Sequence, residues 1–224
     1  MAAAIVAAAF ALLVPSLGGQ AKAPQNTFTE CGPLADQTLR CPRFGFTYKV
    51  VFGWVDRTAD MNAGPQSSAN ANSKSENSGT KDVEQSASST GSETLLAVFE
   101  RPPSAPGETI NSAAVIAAEP LANYHGIKTA GEYFGAISEL AEQRGFKAVN
   151  GPYSFSVGSK QLVRGDFSKE RNKLTMYQTS LVMIEKGYIV SFTFIAGSED
   201  EVNDLLGKLT FGTHGRGSHA GSKQ

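Results

Sequence analysis

The chain has 224 residues, of which 41% are hydrophobic and 18% are charged, and its formal net charge is −1. This length can bury one medium-sized core, or at most two small ones. The near-zero net charge provides no basic field for a polyanion, so we predict that the protein binds no nucleic acid.

The first residues have the pattern of an export signal. Residues 1–14 form an unbroken apolar run, which is shorter than the ~20 residues that a membrane-spanning helix needs. The small-x-small sequence Ala21-Lys22-Ala23 suits a signal peptidase. We therefore predict a signal peptide over residues 1–23, cleaved after Ala23 or after Ala21. The mature protein would be periplasmic or extracellular, with no stable membrane span.

Cys31 and Cys41 are the two cysteines of the chain. An even number of cysteines in an exported protein predicts a disulfide, which would contribute ~2–3 kcal/mol in the chain-entropy model. No histidine lies nearby to complete a zinc site, and the spacing is not that of a redox Cys-x-x-Cys motif. We predict a structural Cys31–Cys41 bridge.

Aromatic and apolar residues alternate with other residues at positions 44–52, which predicts a strand after a shorter one at 36–40. The alternating positions are Phe44, Phe46, Tyr48, Val50 and Phe52. Residues 60–93 are rich in Ser, Asn, Gly and charged residues, so they cannot bury enough apolar area to offset their ordering entropy. Because residues 24–59 are too few to fold alone, we interpret 60–93 as a disordered loop within one domain.

Two helices have recognisable start signals. Thr129 and Glu132 have capping-box spacing, with Gly145 placed to end the helix, and Ser198 and Glu201 repeat that spacing before the second helix. The remaining predicted segments are strands at 94–100, 113–118, 146–149, 153–157, 161–167, 174–185 and 188–195, a loop at 119–128, a turn at 150–152 and a disordered tail at 212–224.

Tight turns join most of these strands, which favours antiparallel pairing. The expected fold class is α+β, with a central, mainly antiparallel β-sheet flanked by helices. We expect one such domain over residues 24–211.

Several features of the chain occur together in one known family. They are the aromatic strand that runs into Gly53-Trp54, the helix with Tyr133-Phe134 before Gly145-Phe146, and the segments Gly187-Tyr188-Ile189-Val190, Ala196-Gly197-Ser198 and Phe211. Together they resemble the PsbP-like family, which has the fold of the extrinsic photosystem II protein and of exported bacterial proteins of unknown role. The resemblance covers residues 36–211 outside the loop and implies an α/β/α sandwich. None of these residues is a chemical motif, so the photosynthetic role is not carried over.

Motifs for chemistry are sparse. His125 lies in the 119–128 loop with Tyr124, six residues after Glu119, and a His and a carboxylate can form half of an acid–base pair. No Gly-x-Ser-x-Gly nucleophile motif accompanies them. We predict no catalytic residue, no metal site and no cofactor.

A second group of polar and aromatic residues follows the first aromatic strand. Trp54 suits either the core or an anchor for a partner, and Asp56 and Arg57 suit either an ion pair at the sheet edge or a partner site. The candidate partner- or ligand-binding residues are Trp54, Asp56, Arg57, Glu119, Tyr124 and His125.

The absence of an assembled catalytic motif favours an exported, non-enzymatic protein that binds an envelope protein or a small ligand through loops at the sheet ends. One alternative is a hydrolase-type enzyme that gathers Glu119, His125 and Asp56 in a single cleft, which requires separations of about 3 Å. Another is a carrier of a small apolar ligand, which requires a cavity beneath the helix at 129–145.

Overall fold

The computed structural model describes residues 31–63, 91–171 and 173–212. The predicted signal peptide, residues 64–90 of the predicted loop and residues 213–224 of the predicted tail lie outside these ranges. The strands in the described ranges are β1 (Thr38–Cys41), β2 (Phe46–Lys49), β3 (Val55–Asp56), β4 (Glu93–Phe99), β5 (Ala113–Pro120), β6 (Lys147–Val157), β7 (Lys160–Arg171), β8 (Leu174–Glu185), β9 (Tyr188–Ala196) and β10 (Leu209–Phe211). The helices are α1 (Thr58–Ala63), α2 (Ala130–Gln143), α3 (Glu199–Leu206) and a 3-10 helix at Leu121–Asn123.

These strands form two sheets. The larger sheet has seven strands in the order β3-β4-β5-β9-β8-β7-β6, and the smaller has three in the order β1-β2-β10. All strand pairs in the described ranges are antiparallel. The α+β class and the antiparallel sheet predicted from the sequence are confirmed, whereas the separate small sheet was not predicted.

The larger sheet is covered on both faces. On one face, Phe134 of α2 packs in a cluster with Phe167, Val182 and Ile189 of the sheet. The other face is covered by α3 and the smaller sheet, whose buried residues form a second cluster with residues of the larger sheet such as Phe192. Because successive side chains of a strand point to opposite faces, neighbouring residues of the central strands belong to different clusters.

Both helix starts agree with the predicted capping signals. The Thr129 side chain accepts a hydrogen bond from the Glu132 backbone N–H at 3.2 Å, and the Glu132 carboxylate accepts one from the Thr129 N–H at 2.9 Å. Gly145 follows α2 with a φ of 81°, a conformation that glycine adopts without strain. At α3, the Ser198 hydroxyl accepts from the Glu201 N–H at 3.2 Å.

A disulfide joins Cys31 to Cys41, as the sequence predicts. Cys41 ends β1 and is fully buried. The Gly32 backbone N–H donates to the Arg40 carbonyl at 3.0 Å beside it, so the bridge holds the segment before β1 against that strand.

The first aromatic strand was predicted over residues 44–52, but it is shorter, and Phe52 lies beyond its end. Its side chain is 84% exposed, whereas Phe44, Phe46 and Tyr48 are buried. The strand ends at Lys49, where its pairing with β1 also ends, and a turn follows in which period-two alternation no longer applies.

Both ends of the predicted loop at 60–93 belong to regular secondary structure. Helix α1 extends to Ala63, and β4 begins at Glu93. The Asn62 side chain exchanges two hydrogen bonds of 2.8 Å with the Thr94 backbone, which ties α1 to the edge of β4. These contacts lie 32 residues apart in the chain, so local composition could not indicate them.

The predicted turn at 150–152 is also wrong. Strand β6 continues from Lys147 to Val157, and its register against β7 shifts on both sides of Asn150. Gly151 and Pro152 have no partner residue in β7, and the regular pairing resumes at Tyr153. An edge strand tolerates such an irregularity and the missing N–H of proline.

The contact between Gly165 and Phe134 gives a first test of the packing. A Cβ atom at Gly165 would clash with Cε1 and Cζ of Phe134, so Gly165→Ala should lower the free energy of unfolding by about 1–3 kcal/mol. The matched control is Gly135→Ala in α2, where no atom lies within 4 Å of the added Cβ and the substitution should stabilise the helix. Urea denaturation of both variants measures the difference, and a Gly165→Ala protein as stable as the wild type would contradict this packing.

Candidate functional site

A polar cleft lies where the bulged part of β6, the middle of β7 and β8 and the start of α3 meet. Its volume is about 130 Å³. The residues that line it are Val149, Asn150, Tyr153, Arg164, Asp166, Phe167, Tyr177, Gln178, Thr179, Glu199, Val202 and Asn203. We refer to it as the Arg164 cleft.

An ion pair between Arg164 and Asp166 forms the centre of the cleft. The two residues are two positions apart on β7 and therefore point to the same face of the sheet. Arg164 Nε lies 2.8 Å from Asp166 Oδ1, and the two side chains are 13% and 14% exposed. Such a pair is largely removed from water, so its geometry has to satisfy most of its polar atoms.

The Asp166 carboxylate is saturated with donors. Oδ1 accepts from the Thr179 hydroxyl at 2.6 Å as well as from Arg164, and Oδ2 accepts from the Tyr153 hydroxyl at 3.1 Å and the Asn150 amide at 3.4 Å. Burial by itself would raise the pKa of Asp166, but the hydrogen bonds from Thr179, Arg164 and Tyr153 and the charge of Arg164 together lower it. Asp166 is therefore a poor proton acceptor.

The Arg164 guanidinium is held in a fixed position. Its Nη2 lies 3.1 Å from Asn203 Oδ1 and 3.4 Å from Thr179 Oγ1, and its Cζ lies 5.0 Å from the centre of the Phe155 ring. Within the described ranges, Nη1 donates to no protein acceptor. One edge of an oriented guanidinium is thus available to a ligand.

A second polar cluster lies on the opposite face of the larger sheet and contains two predicted residues. The Tyr124 and Tyr133 hydroxyls both donate to Oε2 of Glu119, the latter at 3.2 Å, and the two rings meet edge to face at 5.0 Å. Glu119 belongs to β5, which extends to Pro120 rather than ending before the predicted loop. We call these three residues the Glu119 cluster.

The Glu119 cluster is partly buried, with Tyr133 buried and Glu119 and Tyr124 half-buried. Burial raises the pKa of Glu119, and the hydrogen bond from Tyr133 only partly offsets that effect. Burial likewise raises the pKa of Tyr133, and the adjacent Glu119 carboxylate adds to the shift. The carboxylate binds the end of β5 to α2 through Tyr133, which is a structural role.

The structure does not gather the residues of the predicted hydrolase site. His125 is exposed, and the Glu119 carboxylate accepts from tyrosines instead. Asp56 pairs with Val98, which lies opposite Ala114, five residues along β5 from Glu119. Strand spacings put about 20 Å between the Asp56 and Glu119 backbones.

Trp54, Asp56 and Arg57 lie at the other edge of the larger sheet, away from the Arg164 cleft. Trp54 is half-buried against the core. Asp56 accepts from the Thr58 N–H at 2.8 Å, and Arg57 Nε lies 2.7 Å from Asp60 Oδ2 rather than pairing with Asp56. These contacts order the start of α1 and the sheet edge.

The space beneath α2, where an apolar-ligand carrier would need a cavity, is filled with side chains. Phe134 is fully buried, its ring stacks on Phe167 with centroids 6.2 Å apart, and it lies directly over Gly165. No cavity of the predicted kind is therefore found beneath the described helix.

Sequence reasoning missed the Arg164 cleft. Its available signal was the pair of opposite charges at Arg164 and Asp166 inside a predicted strand, at positions that alternate with Val163, Gly165 and Phe167. Two charged side chains on one face of an interior strand need polar partners when they are buried. That requirement could have identified Arg164 and Asp166 as candidate site residues.

Two further features are absent from the described ranges, a metal-binding cluster and a membrane-spanning helix. No group of three or more His, Cys, Asp or Glu side chains there could hold a metal ion. In the same part of the chain, no helix has both the length and the apolar character needed to cross a bilayer.

Comparison with known proteins gives likeness in fold only. No family model matches the sequence. No curated protein matches it either.

Among solved structures, cyanobacterial PsbP (CyanoP) from Synechocystis sp. PCC 6803 is 8% identical with a TM-score of 0.46, covering 81% of this chain and 97% of that chain. LpqN, involved in cell envelope biogenesis of Mycobacterium tuberculosis, is 13% identical with a TM-score of 0.31, covering 53% and 72%. PA94 from Pseudomonas aeruginosa, a protein of unknown function, is 15% identical with a TM-score of 0.34, covering 46% and 75%. One of these three structures is a PsbP protein, of the family that the sequence resembles, and at these identities the likeness carries no activity to this chain.

The raised pKa of Glu119 predicts a pH dependence of stability. Because the folded state holds this proton more tightly than the unfolded state, the contribution of Glu119 is greatest below its unfolded pKa and is lost as the pH rises through the folded pKa. Glu119→Gln removes the titration, so its stability relative to wild type should increase between pH 4 and pH 7. Urea denaturation across this range measures the difference.

The control for this experiment is Glu132→Gln. Backbone hydrogen bonds from Lys128 and Thr129 lower the pKa of Glu132, so its contribution is complete above its unfolded pKa and is lost only as the pH falls below it. The stability of Glu132→Gln relative to wild type should therefore stay constant between about pH 5 and pH 7 and should rise as the pH falls below about 4. Parallel pH profiles of stability for wild type and Glu119→Gln would contradict a raised pKa of Glu119 in the folded state.

Proposed function

We propose that the protein is an exported, non-enzymatic binding protein and that it holds a small polar ligand in the Arg164 cleft. The observation that carries this proposal is the free Nη1 edge of Arg164 in a cleft of about 130 Å³. A concave site with a few fixed polar groups is the usual form of a small-ligand site.

The rigidity of the cleft supports binding. Contacts with Asp166, Asn203 and the Phe155 ring already fix the guanidinium, so a ligand would not have to order it. Groups that are ordered before binding reduce the entropic cost of association. The strand pairing of β7 with both neighbours holds the backbone of Arg164 as well.

The chemistry of the lining supports binding without turnover. Asp166 is saturated with donors and has a lowered pKa, which leaves it unsuited to act as a general base. Its partner Thr179 donates its hydroxyl proton to that weak base and is therefore not activated as a nucleophile. The lining contains no His or Cys.

A substitution series tests the cleft as the binding site. A panel of small polar compounds is screened against the full chain by thermal shift, and each hit is measured by calorimetry. Arg164→Lys keeps the charge beside Asp166 but replaces the planar fork, so binding should weaken about 10- to 100-fold through loss of a charge-assisted hydrogen bond.

The matched control is Arg171→Lys, an exposed arginine at the end of the same strand. It should leave the affinity unchanged, and circular dichroism should show that both variants are folded. A screen without hits, or hits that Arg164→Lys binds as tightly as wild type, would refute the proposed function.

The disulfide supports export, because such bonds persist in oxidising compartments. Alkaline phosphatase fused after Gly212 should be active in a bacterial host when residues 1–23 are present, and inactive when they are deleted. Equal activity of the two fusions, at equal protein levels, would contradict a signal peptide in residues 1–23.

A further inference from the structure

The charges of the Arg164 cleft limit the ligands that it can hold. The charged side chains in its lining are Arg164, Asp166 and Glu199. Arg164 and Asp166 form an ion pair, so their charges largely cancel. Glu199 is the first residue of α3 and is exposed, and no hydrogen bond or ion pair engages its carboxylate within the described ranges.

We infer that the ligand is a small zwitterion of the α-amino-acid type, an inference that rests on the ligand-binding function proposed above. Its carboxylate would accept hydrogen bonds from Nη1 of Arg164, since a guanidinium edge matches the geometry of a carboxylate. Its ammonium group would lie beside the Glu199 carboxylate. Each free charged group of the cleft then has a partner of opposite charge.

Ligands with a single charge fit the same groups less well. A simple anion would meet an arginine whose charge Asp166 already balances, and it would be repelled by Glu199. A simple cation would be attracted to Glu199 but would leave the Nη1 donors of Arg164 without an acceptor. A zwitterion avoids both penalties.

The size of the cleft favours a small member of this class. Its volume of about 130 Å³ is close to that of the engineered cavity of about 150 Å³ that holds one benzene molecule. Glycine and alanine have about as many non-hydrogen atoms as benzene. We therefore use glycine as the probe, with acetate and methylammonium as its two single-charge fragments.

Calorimetry on the full chain tests the role of Glu199. Glycine should bind wild type more tightly than either fragment does. Glu199→Gln should weaken glycine about three- to fivefold, as expected for an exposed ion pair, and should strengthen acetate by a similar factor. Asp200→Asn removes a neighbouring exposed carboxylate of α3 that is outside the cleft lining, and should change both affinities less than twofold.

The outcomes separate this inference from the proposed function. Equal binding of glycine to wild type and Glu199→Gln, or tighter binding of acetate than of glycine to wild type, would overturn the zwitterion. So would a screen in which a different class of compound binds in an Arg164-dependent way while glycine does not, although the binding function would then stand. If no compound binds in an Arg164-dependent way, the proposed function itself fails.

Discussion

The central strands β8 and β9 have to bury side chains on both faces, and the arrangement of the other elements depends on this constraint. Leu181 and Phe192 face the smaller sheet and α3, whereas Val182 and Ile189 face α2. A single covering layer removes apolar surface from water on only one face, so two layers are required. Helix α2 provides one of them, and α3 together with the smaller sheet provides the other.

The Arg164–Asp166 pair departs from this apolar pattern. It lies on β7, one strand from the centre, with both side chains about six-sevenths removed from solvent. Desolvating two charges costs about as much as their attraction returns, and apolar replacements of such pairs are often neutral or stabilising. Stability alone is therefore a weak reason for the pair, which is why a role in binding is the stronger interpretation.

The parts of this fold that could be predicted from the sequence are those specified by neighbouring residues. Thr129 and Glu132 cap α2 through contacts between residues three positions apart, and this spacing is visible in the sequence. Phe52 continues the same alternation as Phe46 but is exposed, because β2 ends at Lys49 with its pairing to β1, and alternation within a segment does not show where the pairing ends. The partners of Arg164 also come from separate elements, with Asn203 lying 39 residues away, so its cleft required the tertiary structure.

The two polar clusters differ in their surroundings, because only the Arg164–Asp166 pair lines the cleft described above, and this difference decides which one we propose as the binding site. At Glu119, two tyrosine hydroxyls donate to one oxygen of a half-buried carboxylate, and the contacts join β5 to α2. A perturbed pKa alone would have marked this cluster as the site, but structural networks shift pKa values in the same way. At Arg164, the pair is equally well ordered, it lines the cleft, and Nη1 donates to no acceptor within the described ranges. Fixed polar groups that line a cleft and lack a protein partner are the ones that a ligand can complete, so we place the proposed binding site at the Arg164 cleft.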